Sequence, residues 1–356
     1  MPDNAVTDVL IRREGRAGRI TMNRPAALNA LTYPMVGAIW RALLEWQADE
    51  AVALVILDGA GERGLCAGGD VRSLYESRSE GSQLARRFWA EEYRLNALIS
   101  RYPKPFLALQ DGIVMGGGIG LSGHASHRLV TERSQLAMPE TTIGLIPDVG
   151  GTWLLSRAPG ETGIYLGLIG ARMGAADAIY AGFSDAMVPA ASLSALVAEL
   201  SHSARPVDAI LDGMKAEPSP GELARLRSRI DAAFRFDTVE AIQAALAAMP
   251  GDWAKTTLLS FAPRSPLSLK ATLAAIRHAR GLGSLEAALA VEYRLTVRLF
   301  EHGEFLEGVR ALLVDKDRKP RWNPSRLEDV TPAMIARLMA PLPPEEELDL
   351  RAPATP

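Results

Sequence analysis

A glycine triplet, Gly116-Gly117-Gly118, follows the apolar run Phe106–Leu109 and precedes a second strand-like run, Arg128–Thr131, with too few residues between for a full crossover helix. A glycine-rich turn that opens a helix points backbone N–H groups at an anion. A dinucleotide-binding βαβ unit, however, needs a complete helix before its next strand. The spacing therefore disfavours a dinucleotide oxidoreductase. It leaves two readings: close packing of a short helix on a strand, or a cradle of backbone donors for a developing oxyanion.

Downstream, Glu140 and Asp148 flank a short apolar run, within Leu136-Ala-Met, Ile143-Gly-Leu-Ile and Val149-Gly-Gly. Loop carboxylates are ordinarily solvated, but this setting predicts burial, which is costly for a lone charge and raises a carboxyl pKa. A second small-residue loop, GERGLCAGGD, follows the predicted strand Ala53–Leu57. Two such loops supply two oxyanion donors, and losing one costs about 2.7–4 kcal/mol of transition-state stabilisation. The two acids and two loops together predict acid–base chemistry at a polarised carbonyl.

Other polar residues carry less. Glu91 and Glu92 read first as a charged helix face. His124 and His127 share a helical spacing, but only the distant His202, His278 and His302 remain as further imidazole ligands, so no metal is expected. Cys66 reads as a small packing residue. The nucleophile elbow Gly-x-Ser-x-Gly is absent from the sequence, which disfavours an α/β-hydrolase.

The first part alternates strands and helices: strands at Asp8–Arg12 and Arg19–Met22, a helix from the N-cap Thr32, and a helix over 82–100 stopped by Tyr102-Pro103-Lys104-Pro105. Beyond about Arg205, segments 221–234, 238–249, 267–280, 285–300 and 305–313 carry apolar residues at helical spacing. The chain thus divides into an α/β core over 1–205 and a mostly helical region over 206–356, ending in a Pro- and charge-rich tail expected to wrap the surface or fray.

With 356 residues and a net charge of -3, the chain has length for a sizeable core and no general footprint for nucleic acid or anionic membrane. No apolar run approaches the roughly 18 residues of a spanning helix. The lone cysteine fits a reducing compartment, and the opening MPDNAVTDVLIRREG lacks the composition of a signal or transit peptide, so the expectation is cytoplasmic. No subunit interface is legible; a homo-oligomer is compatible with the chain.

The chain resembles the enoyl-CoA hydratase/isomerase (crotonase) superfamily in ITMNRPAALNALT, LCAGGDVRSLYE, FWAEEYRLN, YPKPFLALQDGIVMGGGIGLS and AMPETTIGLIPDVGGTWLL. Its C-terminal half adds SPLSLKATL, EYRL and FLEGVRALLVDKDRKPRWNP, which resemble the hydroxyacyl-CoA hydrolases of that superfamily. The resemblance implies an α/β fold, a spiral of ββα units followed by a helical C-terminal region. It places the two thioester-oxygen donors on the N–H groups of Ala67 and Gly117, and the substrate-contacting acids on Glu92, Glu140 and Asp148.

One departure bears on reaction class. Hydratases of the superfamily use two glutamates, one matching Glu140 and the other matching Gly120, where this chain has no acid. Conversely, Asp148 stands where they have glycine. The resemblance therefore implies hydrolysis of a short-chain 3-hydroxyacyl-CoA thioester, first of all (S)-3-hydroxyisobutyryl-CoA of valine breakdown, with coenzyme A as part of the substrate and no cofactor. Glu140 serves as nucleophile or general base, Asp148 accepts the substrate hydroxyl, and Glu92 supports the polar pocket. A hydratase or isomerase, or a catalytically silent acyl-CoA-binding protein, are the competing readings.

Overall fold

The computed structural model describes residues 8–350. Eight strands run in chain order: β1 (Val9–Glu14), β2 (Ala17–Met22), β3 (Leu54–Gly59), β4 (Phe106–Gln110), β5 (Ile113–Met115), β6 (His127–Val130), β7 (Gln135–Ala137) and β8 (Ala186–Met187). Six form one sheet in the order β1-β2-β3-β4-β6-β8, and β5 pairs with β7 in a second. Among the described residues only β1 and β2 pair antiparallel; every other strand pair is parallel.

The parallel strands are buried on both faces, which their apolar sequences allow. Leu54 and Ile56 join Leu107, Leu109 and Leu129 under Leu196, Leu200 and Ile210, while Val55 and Leu57 face the larger core on the other side. This period-two division is the strand pleat.

After each of these strands the chain crosses to a second layer and returns through a helix. In that layer Leu31 bridges Gly69, Cys66 bridges Val114, β5 pairs β7 and Leu136 bridges Met173. Stacked ββα turns result, as the resemblance implies. The ends of these second-layer segments deliver Gly68-Gly69, Gly116-Gly117 and Pro139-Glu140 to one place.

Helix Tyr33–Ala48 starts after Thr32, and helix Gln83–Ser100 ends before the proline-rich stop. Downstream, helices occupy Leu223–Phe234, Val239–Ala248, Pro266–Ala279, Leu285–His302 and Glu304–Val309, close to the predicted segments. The tail is more ordered than its composition suggests. It forms a helix at Pro332–Met339, buries Leu342, and pairs Glu346 with Arg86 and Glu347 with Arg294. One apolar cluster runs from Val9 through Leu342, so the helical region and the spiral share a core.

Candidate active site

A cavity of about 230 Å³ lies where the second-layer segments end, and Glu92, Gly117, Glu140 and Asp148 all line it. Each comes from a different element: Glu92 from helix Gln83–Ser100, Gly117 from the start of helix Gly117–Ser122, Glu140 from a single 3-10 turn, and Asp148 from the turn before helix Gly151–Arg157. The three carboxylates are all buried, none more than 6% exposed. Glu92 is therefore not part of a solvated helix face; neighbouring Glu91 is buried too and accepts from the Tyr33 hydroxyl at 3.1 Å.

The glycines bring backbone and acids together. A methyl group added to Gly117 would stand 2.7 Å from Glu92 Oε1 and 3.1 Å from the Gly69 nitrogen. One added to Gly116, whose φ is +48°, would stand 3.0 Å from Glu140 Oε1. Glu92 Oε1 and Glu140 Oε2 have no hydrogen-bond partner among the described residues, although buried polar atoms are normally paired. Such atoms facing a cavity mark a place that receives a polar ligand.

The assignment of an oxyanion donor to Ala67 requires correction. Its N–H donates to the Leu28 carbonyl at 3.0 Å and is not free to bind a ligand. The Gly69 N–H, two residues on, makes no hydrogen bond among the described residues and lies against Gly117. The pair of backbone donors facing the cavity is thus Gly69 and Gly117. The Leu28 carbonyl is available to Ala67 because Leu28 adopts a left-handed φ of 52°, a conformation invisible to a motif.

Burial, and secondarily the charge of Asp148, holds Glu92 and Glu140 well above the usual carboxyl range. Burial also raises Asp148, to about 6, against the lowering effect of a hydrogen bond from Tyr93. That hydroxyl donates to Asp148 Oδ2 at 2.7 Å. Three acids that repel one another at close quarters cannot all ionise readily, so their protons are shared out by environment.

Three residues that sequence reasoning did not place in the site hold Asp148. Tyr93 is one. Glu292, fully buried on helix Leu285–His302, accepts the Gly150 N–H at 2.7 Å and the Thr152 N–H at 2.9 Å, and also the Thr152 hydroxyl. His124 Nε2 lies 2.8 Å from the Val149 carbonyl, which can only accept, so Nε2 carries the proton; burial pushes this imidazole down to about 4. The turn they hold contains Val149 at φ 53° and Gly150 at φ 80°, left-handed positions that need such support. His127 points elsewhere, to Ser126 and Asp208. Cys66 is fully buried and its thiol is raised to about 12 by burial, consistent with packing.

At Gly120 there is no room for an acid. A Cβ there would meet Val149 Cβ at 2.7 Å and Asn96 Nδ2 at 2.9 Å.

This fold, with a thioester-sized cavity between backbone donors and buried acids, defines an acyl-CoA-processing member of the crotonase class. The chain belongs to the enoyl-CoA hydratase/isomerase family, whose model matches residues 17–339. Among curated relatives it is similar to the mitochondrial 3-hydroxyisobutyryl-CoA hydrolases of Xenopus laevis, 41% identical over 93% of this chain and 89% of the relative, and Rattus norvegicus, 41% identical over 91% and 86%. Among solved structures it is similar to one described as a carnitinyl-CoA dehydratase from Mycobacterium thermoresistibile, with 46% identity, TM-score 0.92 and coverage of 97% of this chain and 99% of that one. Another, described as an enoyl-CoA hydratase from Rhodobacter sphaeroides 2.4.1, has 46% identity and TM-score 0.90 over 96% of this chain and 99% of that one.

The relatives also correct the cytoplasmic expectation, since the animal hydrolases are named mitochondrial and point to that compartment. A lone cysteine indicates a reducing environment without saying which one. Of the opening MPDNAVTDVLIRREG, residues 1–7 lie outside the described residues.

Proposed function

We propose that this chain hydrolyses a short-chain 3-hydroxyacyl-CoA, foremost (S)-3-hydroxyisobutyryl-CoA, to the free hydroxy acid and coenzyme A, as a step of valine breakdown. The observation that carries this reading is the exchange of acids: Asp148 is buried in the cavity wall, while Gly120 is sealed against an acid by Val149 and Asn96. The names of the curated relatives, matched over nearly their whole length, support the same activity.

In this reading the thioester oxygen lies between the Gly69 and Gly117 N–H groups, which stabilise the tetrahedral oxyanion. Ionised Glu140 follows one of two routes. It attacks the carbonyl carbon, expelling coenzyme A thiolate and leaving an acyl anhydride that water then opens, or it takes a proton from water as that water attacks. Either route consumes one water, whose protons end on the thiol and the acid. Asp148, steadied by Tyr93, accepts the 3-hydroxyl and orients the acyl group; Glu92 completes the polar wall.

A single turnover in oxygen-18 water separates the routes. Label in the Glu140 carboxylate requires the anhydride, and label confined to the product argues for direct attack by water. The lyase descriptions of the two similar solved structures favour a second reading, hydration of an enoyl-CoA. Free-thiol release measured beside enoyl absorbance decides between them: hydrolysis releases thiol and leaves a double bond untouched.

A further inference from the structure

Helix Gln83–Ser100 turns two polar side chains one helical turn apart, Glu92 and Asn96, toward helix Gly117–Ser122. Residues four apart share a helix face, with about 5–6 Å between their Cβ atoms. Each of the two meets a glycine of the opposing helix. A methyl group added to Gly117 would stand 2.7 Å from Glu92 Oε1, and one added to Gly120 would stand 2.9 Å from Asn96 Nδ2. The two side chains therefore lie in one slot, covered by the face that carries Gly117 and Gly120.

Asn96 is fully buried, yet neither Nδ2 nor Oδ1 has a hydrogen-bond partner among the described residues. On the same helix only Glu92, at Oε1, shares that condition among the described residues. The adjacent polar groups are committed elsewhere, Tyr93 to Asp148 and Glu91 to the Tyr33 hydroxyl. A buried amide left without partners is costly, and a leucine would fill the same space without that cost. Asn96 is not among the cavity-lining residues. Val149 is, and its Cβ stands 2.7 Å from the same added methyl at Gly120. Asn96 thus sits one side chain behind the cavity wall and reaches a substrate only through a neighbour.

We propose that Asn96 is a positioning residue for Glu92, holding that carboxyl toward the cavity. The inference rests on the acyl-CoA reading, in which Glu92 forms part of the wall that meets the substrate. A hydrogen bond joins the two across the slot, direct after a change of rotamer or carried by one water. Three unpartnered atoms suffice to hold such a water, which needs two to four polar partners. An amide offers both a donor and an acceptor, so it serves the Glu92 carboxyl in either protonation state.

The test is a double-mutant cycle on kcat/KM for thioester cleavage, built from Asn96→Leu and Glu92→Met, with urea unfolding to report that each variant is folded. Losing the amide lowers kcat/KM on the order of tenfold when Glu92 is present, and by about twofold or less in the Glu92→Met background. A purely structural asparagine lowers it by the same factor in both backgrounds, and that result overturns the proposal. So does an Asn96→Leu chain with unchanged kcat/KM. Asn96→Asp keeps the shape of asparagine and removes the Nδ2 donor, and it takes the place of leucine in the cycle if Asn96→Leu is unfolded; its loss, too, is confined to the background that retains Glu92. A wild type that cleaves no acyl-CoA ester overturns the acyl-CoA reading and the positioning with it, whereas equal factors in an active chain overturn the positioning alone.

Discussion

Tyr93 and Asp148 lie 55 positions apart in the chain and meet in the core, the tyrosine hydroxyl donating to Asp148 Oδ2 at 2.7 Å. One carboxylate oxygen is thereby occupied by protein, and the carboxylate is held ionised at a lower pH than its burial alone would allow.

Removing that donor in Tyr93→Phe sends the Asp148 pKa further up from about 6. Less of the group is then ionised at any given pH below neutrality. The acid limb of kcat/KM moves to higher pH by about one to two units, since one lost hydrogen bond to a charge is worth about 1.5–3 kcal/mol. Profiles of kcat/KM from pH 5 to 8 check this, and an unmoved limb contradicts the role given to Tyr93.

Glu140→Gln removes the nucleophile or base and abolishes turnover, with a loss of about a thousandfold or more by analogy with other essential groups. Its effect on stability has the opposite sign. Because the folded-state pKa of Glu140 is raised, its protonated form favours folding below the unfolded value of 4.5, and that contribution is lost as pH rises through the folded pKa. The variant therefore unfolds at a higher temperature than wild type at pH 8, with the difference shrinking toward pH 4.5. Thermal melts at the two pH values measure it.

Glu292→Ala strands the Gly150 and Thr152 N–H groups inside the core. Unsatisfied buried donors cost about 1–3 kcal/mol each, so urea unfolding reports a loss of roughly 2–6 kcal/mol together with a fall in kcat. Glu292→Gln still accepts from one face and recovers part of both. Equal damage from the two variants would mean that charge, rather than hydrogen-bond acceptance, holds the turn.

Gly120→Glu does not restore a hydratase. Its Cβ collides with Val149, and the turn carrying Asp148 shifts or the chain destabilises by about 1–3 kcal/mol or more. Assays of thiol release and of enoyl hydration on this variant both fall; a gain in hydration would refute the packing argument.

The acids were legible because Glu140 and Asp148 lie in one short segment whose apolar neighbours foretell burial, and because Glu92 falls within a recognisable motif. The choice of Ala67 as a donor failed for a local reason. Adjacent small residues differ only in which N–H meets a carbonyl, and Ala67 is claimed by Leu28. Glu292 was beyond reach for the opposite reason: 142 positions separate it from Gly150, and nothing in helical periodicity distinguishes a carboxylate that caps a distant turn from one that faces water. The repeating apolar faces of the C-terminal helices gave those elements away, whereas the helix Pro332–Met339 lay concealed in a tail whose prolines and charges resemble those of an unstructured end.

The grip of Glu292 on the Asp148 turn also imposes an order on synthesis. A ribosome releases the spiral first, at about 5–20 residues per second, and all the cavity acids have emerged well before residue 292 is made. Until helix Leu285–His302 docks, the turn bearing Asp148 lacks its acceptor, so a nascent chain carries its acids without the means to aim them.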